Sequence, residues 1–328
     1  MIEKVAEHPE IWKINVELPK NALKNLNSYV IKTENANMII DTGFNRKECH
    51  DALWSGIHEL GLDMKKTSLF LTHLHSDHTG LVEDFVNHGC KIYMGKVDYH
   101  MNRQFLTDSF REKLHNYYVS EGMPEEVMMR QATHNQGAKY SSKCDFEAQE
   151  LEDGDILWLG DLKVQCIATP GHTPGHMMVY LPEDEILFTG DHVLFDITPN
   201  ITVWEEDIHS LADYMDSLRK TKELPVKIAL PAHRGKHISL NERIDEILEH
   251  HEERLNEIVE ALREYPDSDA YVVASKVTWS MKGLNWDQAP DGQKWFAMGE
   301  AAAHLDYLIM QGRVVRTKVN GISHYRLV

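Results

Sequence analysis

The chain has 328 residues, of which 42% are hydrophobic and 26% are charged, and its formal net charge is −18 at pH 7. This balance is typical of a folded globular protein that is long enough for two domains. The acidic charge disfavours general nucleic-acid binding, because it repels the phosphate backbone.

The ends and the cysteines bear on where the protein works. No apolar run approaches the roughly 18 residues that a membrane-spanning helix needs. The first residues, MIEKVAEHPEIWK, lack the apolar stretch of a secretory signal peptide. Four scattered cysteines form no CxxC pair, and they are Cys49, Cys90, Cys144 and Cys166. We therefore expect a cytoplasmic protein with reduced thiols and no membrane partner.

The N-terminal part alternates strand and helix patterns. Two apolar strands around a polar turn at residues 33–37 precede a helix that ends at Gly61. A buried strand at residues 67–72, a helix closed by Gly89 and a strand at residues 91–95 follow. Strand–helix–strand order of this kind indicates an α/β fold.

A helical segment interrupts this pattern from about residue 96 to residue 140. We interpret it as an insert, after which strands resume at about residue 155 and recur up to the sequence IALPAH. Its Met and aromatic side chains either wall an apolar substrate pocket or only pack the inserted helices. These side chains, together with one Met just before the segment, are Met94, Met101, Phe105, Phe110, Tyr117, Tyr118, Met128 and Met129.

The C-terminal part has a different organisation. A long helix with one apolar stripe ends before Pro266, and two shorter helical patterns follow. A final hairpin turns at Asn320-Gly321. This order of helix, helix and hairpin predicts a winged-helix-like module, so we expect one domain over residues 1–240 and a second region over residues 241–328.

Four short fragments place metal-binding side chains directly after predicted strands. The fragment LFLTHLHSDHTG is the richest, and PGHTPGH, TGDH and PAH repeat the form of strand, tight turn and donor. Strand ends joined by loops present side chains convergently. Imidazole and carboxylate suit zinc, iron or manganese. The candidate ligands are His73, His75, Asp77, His78, His172, Asp191 and His233.

Seven donors are too many for one tetrahedral ion, which takes about four ligands. They suit two divalent ions that share a bridging carboxylate, the usual arrangement for metal-assisted hydrolysis. We expect two ions, with zinc as the first choice and iron or manganese as the alternatives.

The same four fragments, in this order, resemble the metallo-β-lactamase superfamily over about residues 10–240. The resemblance implies an αββα sandwich with the metals at one edge. It implies that one metal is bound by His73, His75 and His172, and the other by Asp77, His78 and His233, with Asp191 between them. A bridging hydroxide would then be the nucleophile, and Asp77 would orient it as the catalytic residue.

Neighbouring residues compete for roles in this site. His237 is an alternative to His233, which we prefer because it directly follows its strand. We expect His176 and His192 to support the ligands rather than bind metal. Thr173 and Thr189 are candidates to hydrogen-bond the ligands.

Departures from the family pattern narrow the substrate. True β-lactamases of this type carry Cys where Asp191 stands, so a lactam is disfavoured. The chain is similar to glyoxalase II in its histidine motifs and to the lactamase-like endoribonucleases in its C-terminal module. The first hypothesis is a hydrolase of a small-molecule ester, thioester or lactone.

A single-strand endoribonuclease with the same metal site is the alternative. Its support is a set of basic side chains on or near the hairpin, namely Arg313, Arg316, Lys318 and Arg326. A DNA-binding regulator is disfavoured, because the last helical pattern carries no Lys or Arg with which to read bases. A homodimer is the default oligomer.

Overall fold

The computed structural model describes every residue except Leu106, Glu206 and Lys282, and it also leaves out the side chains of Asp108 and His134. Contacts between the described residues divide the chain into two compact units. The first consists of Met1–Leu106, Gln136–Pro199 and Ser217–Ile244. The second consists of Thr107–Asn135, Asn200–Asp216 and Asp245–Val328.

The first unit contains two sheets, and the first of these follows the chain order from edge to edge. Antiparallel pairing joins its first four strands, and parallel pairing joins the remaining ones. The strands are β1 (Ile2–Ala6), β2 (Glu10–Glu17), β3 (Asn25–Lys32), β4 (Asn37–Ile40), β5 (Thr67–Leu71), β6 (Lys91–Gly95) and β7 (Gln149–Leu151).

The second sheet has the order β12-β11-β10-β9-β8. Only the β11–β12 pair is parallel among its described strands. These strands are β8 (Ile156–Leu159), β9 (Leu162–Ala168), β10 (Met177–Leu181), β11 (Ile186–Gly190) and β12 (Ile228–Pro231).

One apolar cluster joins the two sheets face to face. It takes Tyr29, Ile31 and Phe70 from the first sheet and Val179 and Phe188 from the second. The rings of Tyr29 and Phe188 meet edge to face with their centroids 5.3 Å apart. Every residue of β10 and β11 is buried, as expected for strands covered on both faces. The mixed α/β sandwich that the sequence predicts is thereby confirmed.

The helices cover the sheets and build the second unit. A 3₁₀ turn also occurs at Met64–Lys66. The α-helices are α1 (Lys47–Glu59), α2 (Ser76–Thr79), α3 (Val82–Asn87), α4 (Lys96–Phe105), α5 (Asp108–Ser120), α6 (Glu125–His134), α7 (Gln136–Lys139), α8 (Ser210–Lys222), α9 (Leu240–Glu264), α10 (Ala270–Lys276) and α11 (Asp291–Met310). Among the described helices, none has the length and apolar character that a membrane crossing requires.

Helix α1 shows how the sequence pattern fixes the outer layer. It packs on β2 and buries Leu53, Trp54 and Ile57. Gly56 lies so close to the sheet that an added Cβ would lie 2.8 Å from the Ile14 side chain. The helix ends as predicted before Gly61, whose φ of +62° suits a left-handed helix terminus.

The second unit combines α5, α6, α10 and α11 with a two-stranded hairpin, β13 (Val314–Val319) and β14 (Ile322–Leu327). The Tyr118 and Trp295 rings stack with their centroids 4.9 Å apart. The hairpin turns at Asn320-Gly321, where both residues have positive φ, as expected for a type I′ turn.

The predicted helix, helix and hairpin order is present, while the winged-helix assignment itself stays a prediction. Residues 107–135, which lie in the predicted insert, cluster with this unit. The division near residue 240 stays a prediction.

Candidate metal centre

The first group of donors lies just beyond the ends of β5 and β9. His73 and His75 are on the loop between β5 and α2, and His172 is on the loop after β9. His75 Nδ1 lies 3.0 Å from His73 Nε2 and 3.0 Å from His172 Nε2. All three ligand atoms lie within 4.8 Å of one another, so one ion could contact all three.

The second group contains Asp77, His78 and His233. Asp77 and His78 are on α2, and His233 follows β12. His233 Nε2 lies 3.3 Å from His78 Nε2 and 3.4 Å from Asp77 Oδ2. These ligand atoms also lie within 4.8 Å of one another, which makes a second site for one ion.

Asp191 faces both groups with different oxygen atoms. It follows β11, and its Oδ1 lies 3.4 Å from His233 Nε2 and 3.6 Å from His78 Nε2. Its Oδ2 lies 3.6 Å from His172 Nε2. The structure thus brings all seven side chains predicted from the sequence to one edge of the sandwich.

Burial keeps His73 and His75 of the first group neutral. It lowers the pKa of His73 well below the usual value, and the neighbouring histidines lower it further. Burial also lowers the pKa of His75 to about 3, with His172 acting in the same direction. A neutral imidazole offers the lone pair that a metal ion needs.

The second group pairs histidines with carboxylates. Burial alone would lower the pKa of His78, but the carboxylates of Asp41 and Asp191 raise it well above the usual value. Burial would raise the pKa of Asp191, yet His233 and His78 lower it well below the usual value. The neighbouring carboxylates therefore favour the positively charged form of His78, and positive charge on the histidines in turn favours the ionised form of Asp191. Divalent cations between the groups would supply that charge instead.

The fit to metal ions can be tested on Asp191 itself. Its Oδ1 is buried and has no hydrogen-bond partner among the described residues. The two ring nitrogens nearest to it lie beyond normal hydrogen-bonding distance. A buried carboxylate oxygen without a donor is costly unless a cation satisfies it. Together with the clustered imidazole nitrogens, this atom fits a divalent-metal centre.

Asp41 supports the centre, and the sequence reasoning missed it. Its Oδ2 accepts a hydrogen bond from His78 Nδ1 at 2.7 Å, and its Oδ1 accepts one from the Thr72 amide at 2.9 Å. His233 Nδ1 likewise donates to the Asn25 carbonyl at 2.7 Å. Both bonds leave Nε2 to face the centre. The signal for Asp41 was present, since the sequence MIIDTG also places an acid after a strand and before a glycine.

The neighbouring histidines make contacts that differ from those of the seven donors. His176 Nε2 accepts a hydrogen bond from the Asp191 amide at 3.1 Å, so this side chain positions Asp191. His192 Nε2 lies 3.0 Å from the Thr221 hydroxyl, away from the two groups. His237 is exposed beside Asp196, so the geometry favours His233 as the last donor.

The two threonines take roles other than the predicted ones. Thr173 Oγ1 donates to Asp98 Oδ2 at 2.6 Å, and Thr189 Oγ1 donates to the Val193 carbonyl at 2.8 Å. The described hydrogen bonds of these hydroxyls therefore go to groups other than the seven donors. The sequence could not show this, because the partners are distant or on the backbone.

Comparison with known families gives two matches along the chain. Residues 24–233 match the metallo-beta-lactamase superfamily. Residues 287–328 match a metallo-beta-lactamase-like C-terminal domain. The first match contains all seven donors, and the second contains the whole of α11 and the hairpin.

Individual known proteins are also similar to this chain. A beta-lactamase-like protein 2 homolog from Caenorhabditis elegans is 30% identical over 257 residues, which cover 78% of this chain and 71% of that protein. An atrochrysone carboxyl ACP thioesterase from Emericella nidulans is 26% identical over 216 residues, 66% of this chain and 53% of that protein. The crystal structure of a metallo-beta-lactamase family protein from Thermus thermophilus has a TM-score of 0.82 and 25% identity, and the match covers 98% of this chain and 100% of that one.

Proposed function

Because the chain belongs to the metallo-beta-lactamase superfamily and is a metal-dependent hydrolase, we propose that it uses two divalent metal ions to hydrolyse an ester, thioester or lactone of a small molecule. One observation carries the two-ion part of the proposal. Asp191 presents Oδ1 to His78 and His233, and Oδ2 to His172. A carboxylate placed in this way suits a bridge between two ions.

The seven donors divide between the two ions. His73, His75 and His172 would hold one ion, and Asp77, His78 and His233 would hold the other. When bound, such ions polarise the scissile carbonyl and lower the pKa of water toward neutrality. The donor set suits zinc, iron and manganese, and zinc is the ion we propose to test first.

Asp77 is the proposed catalytic residue. Its Oδ2 lies 3.4 Å from His233 Nε2 and 3.9 Å from His78 Nε2, and its side chain keeps 11% exposure to solvent. A partly exposed acceptor at the edge of the centre can hold an attacking water by one of its protons and orient the lone pair toward the carbonyl. His176 contributes indirectly, because it fixes the backbone of Asp191.

A thioester is the substrate class to test first, since one relative carries the name of an acyl carrier protein thioesterase. RNA remains the alternative substrate, because Arg316 and Lys318 are exposed on β13. Activity on the two substrates should depend differently on salt concentration. Contacts with RNA phosphates weaken steeply as the salt concentration rises, whereas hydrolysis of a thioester at a small site should not show this dependence.

The test compares kcat/KM for a short acyl thioester with that for a short single-stranded RNA in zinc-loaded protein. Asp77→Ala and Asp191→Asn are expected to lower kcat/KM by more than ~100-fold. Loss of a hydrogen-bond partner of a metal ligand typically lowers activity by about 10- to 100-fold, and loss of the ligand itself should cost at least as much. His237→Ala is the matched control, because His237 is exposed and outside both groups. It should leave kcat/KM unchanged.

Each outcome changes the proposal in a definite way. Thioester turnover that depends on both aspartates supports it. RNA turnover with the same dependence replaces the small-molecule substrate by RNA. Turnover that survives both substitutions, in variants that still bind two zinc ions per chain, would refute the assigned roles.

A further inference from the structure

Asp98 is a fully buried carboxylate on the first turn of α4. Its Oδ2 accepts hydrogen bonds from the Leu74 amide at 2.9 Å and from Thr173 Oγ1 at 2.6 Å. Its Oδ1 accepts one from the Gly175 amide at 2.6 Å. Three donors on one carboxylate are enough to offset much of the cost of burying it.

These donors lie on two different loops. Leu74 stands between His73 and His75, and Thr173 directly follows His172. The two loops follow strands of different sheets, β5 and β9. The Asp98 carboxylate therefore connects the loops that carry the first group of donors.

Two glycines let the loop after β9 approach helix α4 closely enough for these hydrogen bonds. An added Cβ on Gly175 would lie 2.2 Å from the Asp98 amide nitrogen. An added Cβ on Gly95, just before α4, would lie 2.3 Å from the Gly175 carbonyl oxygen. The loop that carries His172 and Gly175 is thus packed directly on the start of α4. A larger residue at Gly95 or Gly175 would separate this loop from the helix.

The second group of donors is held by other residues. His78 is oriented by Asp41 and His233 by the Asn25 carbonyl. None of the three hydrogen bonds described for Asp98 goes to either of these histidines. A change at Asp98 should therefore affect the two groups unequally.

We propose that Asp98 is a positioning residue that preassembles His73, His75 and His172 for one of the two metal ions. This inference rests on the proposed two-ion function. Burial raises the pKa of Asp98 to about 6 against the effect of its three donors, so the carboxylate is an ionised acceptor at pH 8. Partners that orient ligands in this way contribute about 10- to 100-fold to metal affinity.

The experiment measures zinc binding rather than turnover. Full-length protein freed of metal is titrated with zinc at pH 8 against a chromophoric chelator, and bound zinc per chain is counted. Asp98→Asn keeps the shape but turns an NH₂ group toward at least one of the three donors. We expect about 10- to 100-fold weaker binding of one zinc ion and nearly unchanged binding of the other.

Three further variants separate positioning from general damage. Thr173→Val removes one donor and should weaken the same ion, while Thr173→Ser restores the hydroxyl and should restore binding. Asp84→Asn is the matched control, because Asp84 accepts from Trp54 Nε1, outside both groups. It should bind both ions as the wild type does. If Asp98→Asn does not fold, the two Thr173 variants decide the question.

The results distinguish this inference from the function on which it rests. Wild-type protein that binds fewer than two zinc ions would overturn the two-ion proposal itself. Two tightly bound ions in wild type, with both retained at equal affinity in Asp98→Asn and Thr173→Val, would overturn only the role of Asp98. Equal weakening of both ions would also overturn it, since the effect would then not be confined to the first group.

Discussion

Glu300 is a buried acid whose ionisation should make the second unit less stable as the pH rises. It lies on α11 with 9% exposure, and its Oε2 accepts a hydrogen bond from Asn200 Nδ2 at 2.9 Å. Burial raises its pKa from 4.5 to about 7, against the opposing effects of Arg254 and Asn200. The perturbation we propose is Glu300→Gln, which keeps an oxygen acceptor for Asn200 but cannot ionise.

The direction in which the free energy of unfolding changes with pH follows from proton binding. Between pH 4.5 and 7 the folded chain keeps a proton on Glu300 that the unfolded chain has released. The free energy of unfolding of the wild type therefore falls as the pH rises through this window. At about 1.36 kcal/mol per pKa unit, the loss from this residue between pH 5 and pH 8 is roughly 2–3 kcal/mol. Glu300→Gln should not show it.

Urea unfolding of metal-free protein at pH 5 and pH 8, followed by tryptophan fluorescence, measures this difference. Trp295 lies on the same helix and reports on it. Glu249→Gln, the same change at an exposed position of α9, is the control and should follow the wild type at both pH values. If Glu300→Gln and wild type lose the same stability between pH 5 and pH 8, Glu300 is already ionised in the folded protein and the reasoning fails.

Three other outcomes follow from the fold and the centre. Phe188→Ala should lower the free energy of unfolding by about 3–5 kcal/mol in urea melts, because its ring fills the space between the sheets; a loss under about 1 kcal/mol would contradict that packing. Gly321→Ala should lower it by about 1 kcal/mol, since φ is +86° there. Gly292→Ala, in a helix with open space around the glycine, should be neutral or slightly stabilising in the same assay, and equal losses at the two glycines would contradict this account. A chelator should lower the melting temperature of the wild type more than that of Asp191→Asn, because bound metal stabilises only the folded state; equal shifts in calorimetry would argue against metal binding at Asp191.

Much of the fold could be predicted from local patterns. The strands β4 to β6, the helix α1 and the terminal hairpin follow from apolar periodicity and from the glycines that end or turn them. Strands β1, β2 and β7 and helix α8 were not anticipated. For β7 the reason is physical, because two of its three residues are exposed, so neither alternation nor a continuous apolar run marks it.

The seven donors could be identified because each stands in a fragment of the same form, a strand followed by a tight turn and a metal-binding side chain. Asp41 has that form as well and could have been found by the same rule. Asp98 could not. It is one acid in a helical segment, and its partners lie 24 to 77 residues away along the chain. Long-range pairing of this kind leaves no local pattern in the sequence.

The sequence by itself therefore determined which chemistry the chain carries, because residue type and spacing after a strand are local properties. The distances that bring the donors together, the direction in which each Asp191 oxygen faces and the link between loops at Asp98 were decided only by the tertiary structure. The physical reason is that packing one sheet on the other brings the ends of β5, β9, β11 and β12 to a common edge. Distances of about 3 Å between such side chains depend on that packing and on no single segment of the chain.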